Sequence, residues 1–295
     1  MNFVTFRTAA DATPHLGAIV GESVAILPGD MIGLCEKGAA GIAAAAEMAA
    51  EIPAAERQPL AAVELLPVVP RPGKIICMGL NYADHALEGG NDKPEYPSFF
   101  LRCPSSLTAH GAPLRRPHVS TRLDFEAELA VVIGRTSRHL VATDALEAVA
   151  GYSCFNDGTL RDYQRKSAQW TIGKNFDETG SFGPWLVPAS TLPAGARGLK
   201  IESRLNGTVM QRSNTAHMLF PVVETLCLIT EVMTLEPGDV IIMGTPAGVG
   251  YARTPPVWMK AGDTIEIEIE GIGILSNRIE DEVDGNVKIV AGADT

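Results

Sequence analysis

The sequence predicts an α+β protein, mainly β, with a small N-terminal domain over residues 1–68 and a larger domain over residues 69–295. Three observations carry this reading. From Lys74 onward, short β-like runs rich in Val, Ile, Phe and Leu recur between Gly, Pro and Asn turn signals. The few helical patterns do not alternate regularly with those runs, which argues against Rossmann and TIM architectures. The segment LLPVVPRPGK, 65–74, carries Pro67, Pro70 and Pro72 and reads as an extended connector between the two parts.

In order along the chain, NFVTF and GAIVGESVAIL read as strands joined through a polar turn, and residues 31–57 as an Ala-rich helical stretch. After the connector come the runs KIICMG, PSFFLR and ELAVVIG, each short enough and apolar enough for a strand. DALEAVAGY reads as helical, and so does FPVVETLCLITEVM, where Pro221 stands at a helix start and its missing N–H does no harm. GPWLV, KIESRLNG, DVIIMG and TIEIEIEG complete the set of strands.

The chain has 24 Lys plus Arg against 35 Asp plus Glu, a formal charge of −11, and no concentrated basic patch, which disfavours a nucleic-acid partner. The five cysteines, Cys35, Cys77, Cys103, Cys154 and Cys227, have no CxxC pair and no metal-finger spacing, and they suit reduced thiols in a cytoplasmic protein. The start MNFVTFRTAADATPH lacks the order of a secretory signal. The Ala-rich GAAGIAAAAEMAAE is broken by Glu47 and is too short for a membrane span.

The chemistry starts at RLDFEAELAVVIG, 122–134. As one extended strand it would put Asp124, Glu126 and Glu128 on one face and Phe125, Ala127 and Leu129 on the other. Two carboxylates two residues apart can reach one cation, and an all-oxygen set favours Mg²⁺, Mn²⁺ or Ca²⁺ over zinc. A half-exposed antiparallel strand gives the same alternation, and TIEIEIEG, with Glu266, Glu268 and Glu270, shows it too. What differs is the run LAVVI, apolar on both faces, so that these acids would stand at the mouth of a buried strand, where an unpaired charge is costly.

Other segments offer partners. In CFNDGTLRDYQ, Asp157 lies in an Asn-Asp-Gly turn signal, with Thr159 in position to cap the short helix that follows; Asp157 is either a turn acid or a third ligand. Lys174 stands in an otherwise apolar stretch and could pair a substrate carboxylate or reach solvent. In MGLNYADHALEGG, His85 and Glu88 are three apart, neighbours on a helical turn, so Glu88 could orient His85 as a base; a surface pair would look the same. MGTPAGVG, 243–250, is a Gly-rich turn whose N–H groups could form an anion nest, and without a following GK[ST] it is no Walker loop.

Taken in order, GLNYADH, DFEAELAVVIG, GYSCFNDGTLRDYQ, QWTIGKNFD and LEPGDVIIMGTPAGVG resemble the fumarylacetoacetate hydrolase superfamily over roughly residues 74–280. The resemblance implies a mixed β-roll catalytic domain, a homodimer, and Mg²⁺ or Mn²⁺ held by Glu126, Glu128 and Asp157. It implies that His85 and Glu88 activate water, that Lys174 matches the family lysine, and that Gln164 and the turn at Gly244 and Thr245 meet the substrate, a small keto acid. Asp124 is not carried over as a ligand. Two positions near the substrate depart from the pattern: Leu80 stands where some acylpyruvate-cleaving members have Arg, and Arg102 where many have Lys. The implied reaction is metal-dependent hydrolysis of a carbon–carbon bond in a 2,4-diketo acid, giving pyruvate and a second acid. The same site would also serve oxaloacetate decarboxylation or isomerisation of a 2-hydroxy-dienedioate, or keto-acid binding without catalysis.

Overall fold

The computed structural model describes residues 1–90 and 92–283; the last residues of the 69–295 segment lie outside the described part. The architecture is α+β and mainly β, as expected. A 12-stranded mixed sheet runs from Gln58–Pro59 through Ser23–Leu27, His15–Val20 and Phe3–Thr8 to Gly180–Pro188, Val149–Asp157, Ala127–Ile133, Val240–Ile242, Ile75–Gly79 and Ser98–Arg102. A second sheet of five strands is built around Lys200–Leu205, Thr264–Ile269 and Gly273–Asp281. Among the described residues no helix is long and apolar enough to cross a membrane.

Ala127–Ile133 sits at the centre of the large sheet, antiparallel to both Val149–Asp157 and Val240–Ile242. Its apolar run has two faces to fill. Leu129, Val131 and Ile133 pack in one cluster with Ile265, Ile267 and Ile269 of the second sheet. Ala130 and Val132 pack in another with Met31, Leu34 and Ile42 of the helices Met31–Glu36 and Gly38–Glu51. Burial on both sides explains why LAVVI does not alternate. Phe3 pairs with Leu186 across the sheet, so residues on the two sides of position 68 share one sheet and one buried cluster.

Three local expectations need correction. The stretch 122–134 is not one strand: Leu123–Asp124 pairs with Thr159–Leu160 as a separate two-stranded ladder, and the strand Ala127–Ile133 begins only after a break. At the break Glu126 N–H donates to Asn156 Oδ1, and the Glu126 carbonyl accepts from Asp157 N–H, so the ladder changes partner there. DALEAVAGY gives only a 3-10 turn, Ala145–Ala148, and Val149, Gly151 and Tyr152 enter the strand Val149–Asp157, where the central sheet supplies partners on both edges. Thr159 does not cap Arg161–Gln164; it lies in a strand, and its hydroxyl donates to the Asp157 carbonyl at 2.7 Å. TIEIEIEG, by contrast, is the half-exposed strand that its alternation describes, with Arg204 bonded to Glu266 at 3.0 Å and to Glu268 at 2.5 Å.

Candidate active site

Glu126, Glu128 and Asp157 come together where the central strand meets its break. Each offers an oxygen, these lie within 4.8 Å of one another, and all three residues are buried. Period-two geometry places Glu126 and Glu128 on the same face as Ala130 and Val132. Asp157, the last residue of the neighbouring strand, reaches the same face one position beyond the register that sets Asn156 opposite Ala127.

Protein cations offset much of this negative charge. Lys174 Nζ, itself buried, donates to Asp157 at 2.5 Å and also to Glu126. Arg102 stands behind the site: Nη1 donates to Asp157 at 2.5 Å, Nε to Ser106 at 3.2 Å and Nη2 to Thr179 at 3.1 Å. Arg161 bridges Asp124 at 2.8 Å and Glu126 at 2.7 Å. Burial pushes the Glu126 carboxyl up, but Arg161, Lys174 and His85 outweigh it and hold Glu126 below the usual carboxylate range. For Lys174, burial works against the charge, yet Asp157 and Glu126 raise its pKa above the ordinary lysine value.

Glu128 is different. Its carboxylate accepts Gly244 N–H at 2.6 Å, and among the described residues no cationic side chain is bonded to it. Burial, followed by repulsion from Asp157 and Glu126, drives its pKa well above the usual range. A buried, all-oxygen set in which, among the described residues, one carboxylate has no cation bonded to it fits a hard divalent cation, so Glu126, Glu128 and Asp157 are the residues that would hold it.

His85 and Glu88 sit on the short helix Ala83–Glu88, where a spacing of three brings them together. His85 Nδ1 lies 2.8 Å from Glu88 Oε1, and Glu88 Oε2 accepts Gly248 N–H at 2.9 Å. The carboxylate thus joins the helix to the Gly-rich turn and assigns the proton to Nδ1, which leaves Nε2 free to take one. Asn81 fastens the same segment, donating to the Met243 carbonyl at 2.7 Å and accepting Phe220 N–H at 2.7 Å.

The turn at 243–250 is an anion nest, but its described anions are the protein's own. Gly244 N–H goes to Glu128, Gly248 N–H to Glu88, and Gly250 and Tyr251 N–H to Asp124 at 2.7 and 3.1 Å. Thr245 Oγ1 donates to the Ala127 carbonyl at 3.0 Å and accepts Gln211 Nε2 at 2.7 Å. Asp124 therefore anchors this turn and Arg161 and stands outside the carboxylate cluster.

These groups line a cleft of about 410 Å³ walled by His85, Glu126, Glu128, Asp157, Gln164, Lys174 and Thr245, together with Leu80, Arg161, Arg165, Trp170 and Tyr251. Arg102 and Gly244 do not line it and act from behind. Leu80 holds φ at 58°, a left-handed conformation rare for a residue with a side chain, and strain of this kind concentrates at functional sites. Sequence reading missed Arg161, Gln211 and Asn81. A charged Arg in the midst of NDGTLRDYQ was the one visible signal; Gln211, which accepts Ala127 N–H at 3.0 Å from a distant strand, had none.

Fold and site together define a class: mixed β proteins in which a buried carboxylate triad beside a His–Glu pair opens into a small cleft. The chain belongs to the fumarylacetoacetate hydrolase superfamily, matching the family model described as fumarylacetoacetate (FAA) hydrolase C-terminal over residues 74–280. Rat oxaloacetate tautomerase Fahd2a, mitochondrial, is 37% identical over 290 residues, covering 95% of this chain and 91% of its own. Oxaloacetate tautomerase YisK of Bacillus subtilis (strain 168) is 43% identical over 224 residues, covering 75% of this chain and 74% of its own. The solved structure of maleylpyruvate hydrolase from Sphingobium sp. SYK-6, in complex with manganese(II) ion and pyruvate, has a TM-score of 0.78 at 29% identity and covers 96% of this chain and 100% of that one.

Proposed function

We propose that this chain is a divalent-metal enzyme acting on 2-oxo acids, with Mg²⁺ or Mn²⁺ as cofactor, and that its reaction is keto–enol tautomerisation of oxaloacetate. The observation that carries this reading is a single base, His85 oriented by Glu88, set on the same cleft as the carboxylate triad. The likeness to the rat tautomerase along nearly all of both chains supports the choice of substrate.

A cation held by Glu126, Glu128 and Asp157 would polarise the 2-oxo group and stabilise negative charge on its oxygen. His85 Nε2 takes the proton from C3 of the keto form and delivers it to the 2-oxo oxygen to give the enol; in the opposite direction it takes the enol O–H proton and delivers it to C3, so the base ends each turn as it began. Glu88 steadies the imidazolium formed in between. Lys174 keeps its charge beside Glu126 and Asp157 and so lowers the repulsion within the triad. Tautomerisation needs one base and no attacking water.

A second reading is hydrolysis of a 2,4-diketo acid, favoured by the same His–Glu pair, since a base so held also takes a proton from water. Decay of the enol absorbance of oxaloacetate in the presence of Mn²⁺ tests the first reading: acceleration abolished by chelator and by His85→Ala is expected, and a rate no faster than buffer sinks it. Mass detection of pyruvate from a panel of acylpyruvates tests the second. The reading further takes the protein as a cytoplasmic homodimer. The thiols fit a reducing compartment, while the rat relative is described as mitochondrial, so cell fractionation decides.

A further inference from the structure

Among the described residues, four cationic or potentially cationic side chains line the cleft: His85, Arg161, Arg165 and Lys174. Three are committed. His85 is bonded to Glu88, Lys174 to Glu126 and Asp157, and Arg161 to Asp124, Glu126 and, through Nη1, to Gln164 Oε1 at 3.0 Å. Arg165 is exposed, and among the described residues no carboxylate pairs with it.

It is nevertheless held in place. Its guanidinium carbon lies 4.8 Å from the centre of the Tyr251 ring, and that of Arg161 lies 4.5 Å from the same ring. The backbone of Tyr251 is anchored by its N–H, which donates to Asp124 at 3.1 Å. Stacking on an aromatic ring limits the freedom of an arginine without using its hydrogen-bond donors, so the fork of Arg165 remains available. Leu80, elsewhere on the cleft wall, brings no charge.

We propose that Arg165, steadied by Tyr251, receives the distal carboxylate of a 2-oxo dicarboxylic acid and makes the cleft select dicarboxylates over monocarboxylates. The proposal rests on the reading above in one respect, that the 2-oxo end docks at the carboxylate triad. In a protein of formal charge −11, an uncompensated cation at the cleft is what lets a dianion stay. Arginine suits the task because its planar fork meets a carboxylate with two donors.

The test is calorimetric binding to Mn²⁺-loaded protein, wild type, Arg165→Met and Arg165→Lys, with pyruvate and with 3,3-difluoro-oxaloacetate. The latter keeps the second carboxylate and has no C3 proton to exchange, so binding is read without turnover. Arg165→Met should weaken difluoro-oxaloacetate on the order of tenfold and leave pyruvate unchanged, as expected for one partly exposed charge-assisted contact. Arg165→Lys should restore part of the loss, and salt should narrow the wild-type preference. Equal weakening of both ligands, or of neither, overturns the proposal. A wild-type protein that prefers the dicarboxylate through Arg165 yet does not tautomerise oxaloacetate supports this contact and overturns only the reaction assigned above.

Discussion

Glu126, at the break just before the strand Ala127–Ile133, and Glu128, within that strand, are two residues apart, yet burial and neighbours push their carboxyls in opposite directions. Arg161 and Lys174 hold Glu126 ionised, whereas Glu128 has only a backbone N–H. Without metal, the raised pKa of Glu128 gives stability that is present below the ordinary carboxylate range and is lost as pH rises through the raised value. A divalent cation replaces that proton, so the thermal shift caused by Mn²⁺ should grow as pH rises. Melting curves with and without Mn²⁺ over a pH series read this; a shift that is the same at every pH would remove Glu128 from the ligand set. Glu126→Gln should weaken metal binding by about 100-fold or more, taking the effect of losing an outer-shell partner as a lower guide. Metal content and affinity equal to wild type would count against the triad.

At the scale of elements, the site depends on one strand break and one turn. The break at Phe125–Glu126 lets Asp124 turn towards Arg161 and residues 250–251 while Glu126 and Glu128 face the cleft. The turn closes the site from the other side, and Gly244 carries the constraint. Its φ is 85°, and an added Cβ would lie 2.7 Å from Asn81 Cβ and 3.1 Å from the Met78 carbonyl. Gly244→Ala should therefore cost about 1–3 kcal/mol and lower both Tm and metal affinity, because Gly244 N–H is the donor that holds Glu128. Unchanged melting would mean the turn can relax without moving its N–H. Gln211 extends the same device: its amide joins Ala127, Ser203, Thr245 and Pro246, tying the ligand strand, the second sheet and the turn into one unit.

Across the whole molecule, the face of the sheet that carries the acids is also the face that the N-terminal helices cover, and Phe3 lies in that cluster with Phe155 and Phe182. Phe3→Ala should cost about 3–5 kcal/mol in denaturant unfolding, with backbone and site probes moving together; two separate transitions would show that residues 1–68 unfold on their own. Light scattering should give twice the 31.3 kDa chain mass if the expected homodimer forms. The sequence by itself determined the mainly β class, the two-sided burial of LAVVI, the proximity of Glu126 to Glu128 and that of His85 to Glu88, because each follows from the period of a strand or one turn of a helix. Asp157 and Lys174 were legible only through ordered motifs. The strand break, the Asp124–Arg161 pair, the Gln211 hub and the occupants of the anion nest were decided by tertiary structure alone. Asp124 and Arg161 lie 37 residues apart in the chain, Ala127 and Gln211 84, and Glu88 and Gly248 160, and no local period encodes which buried charge meets which donor.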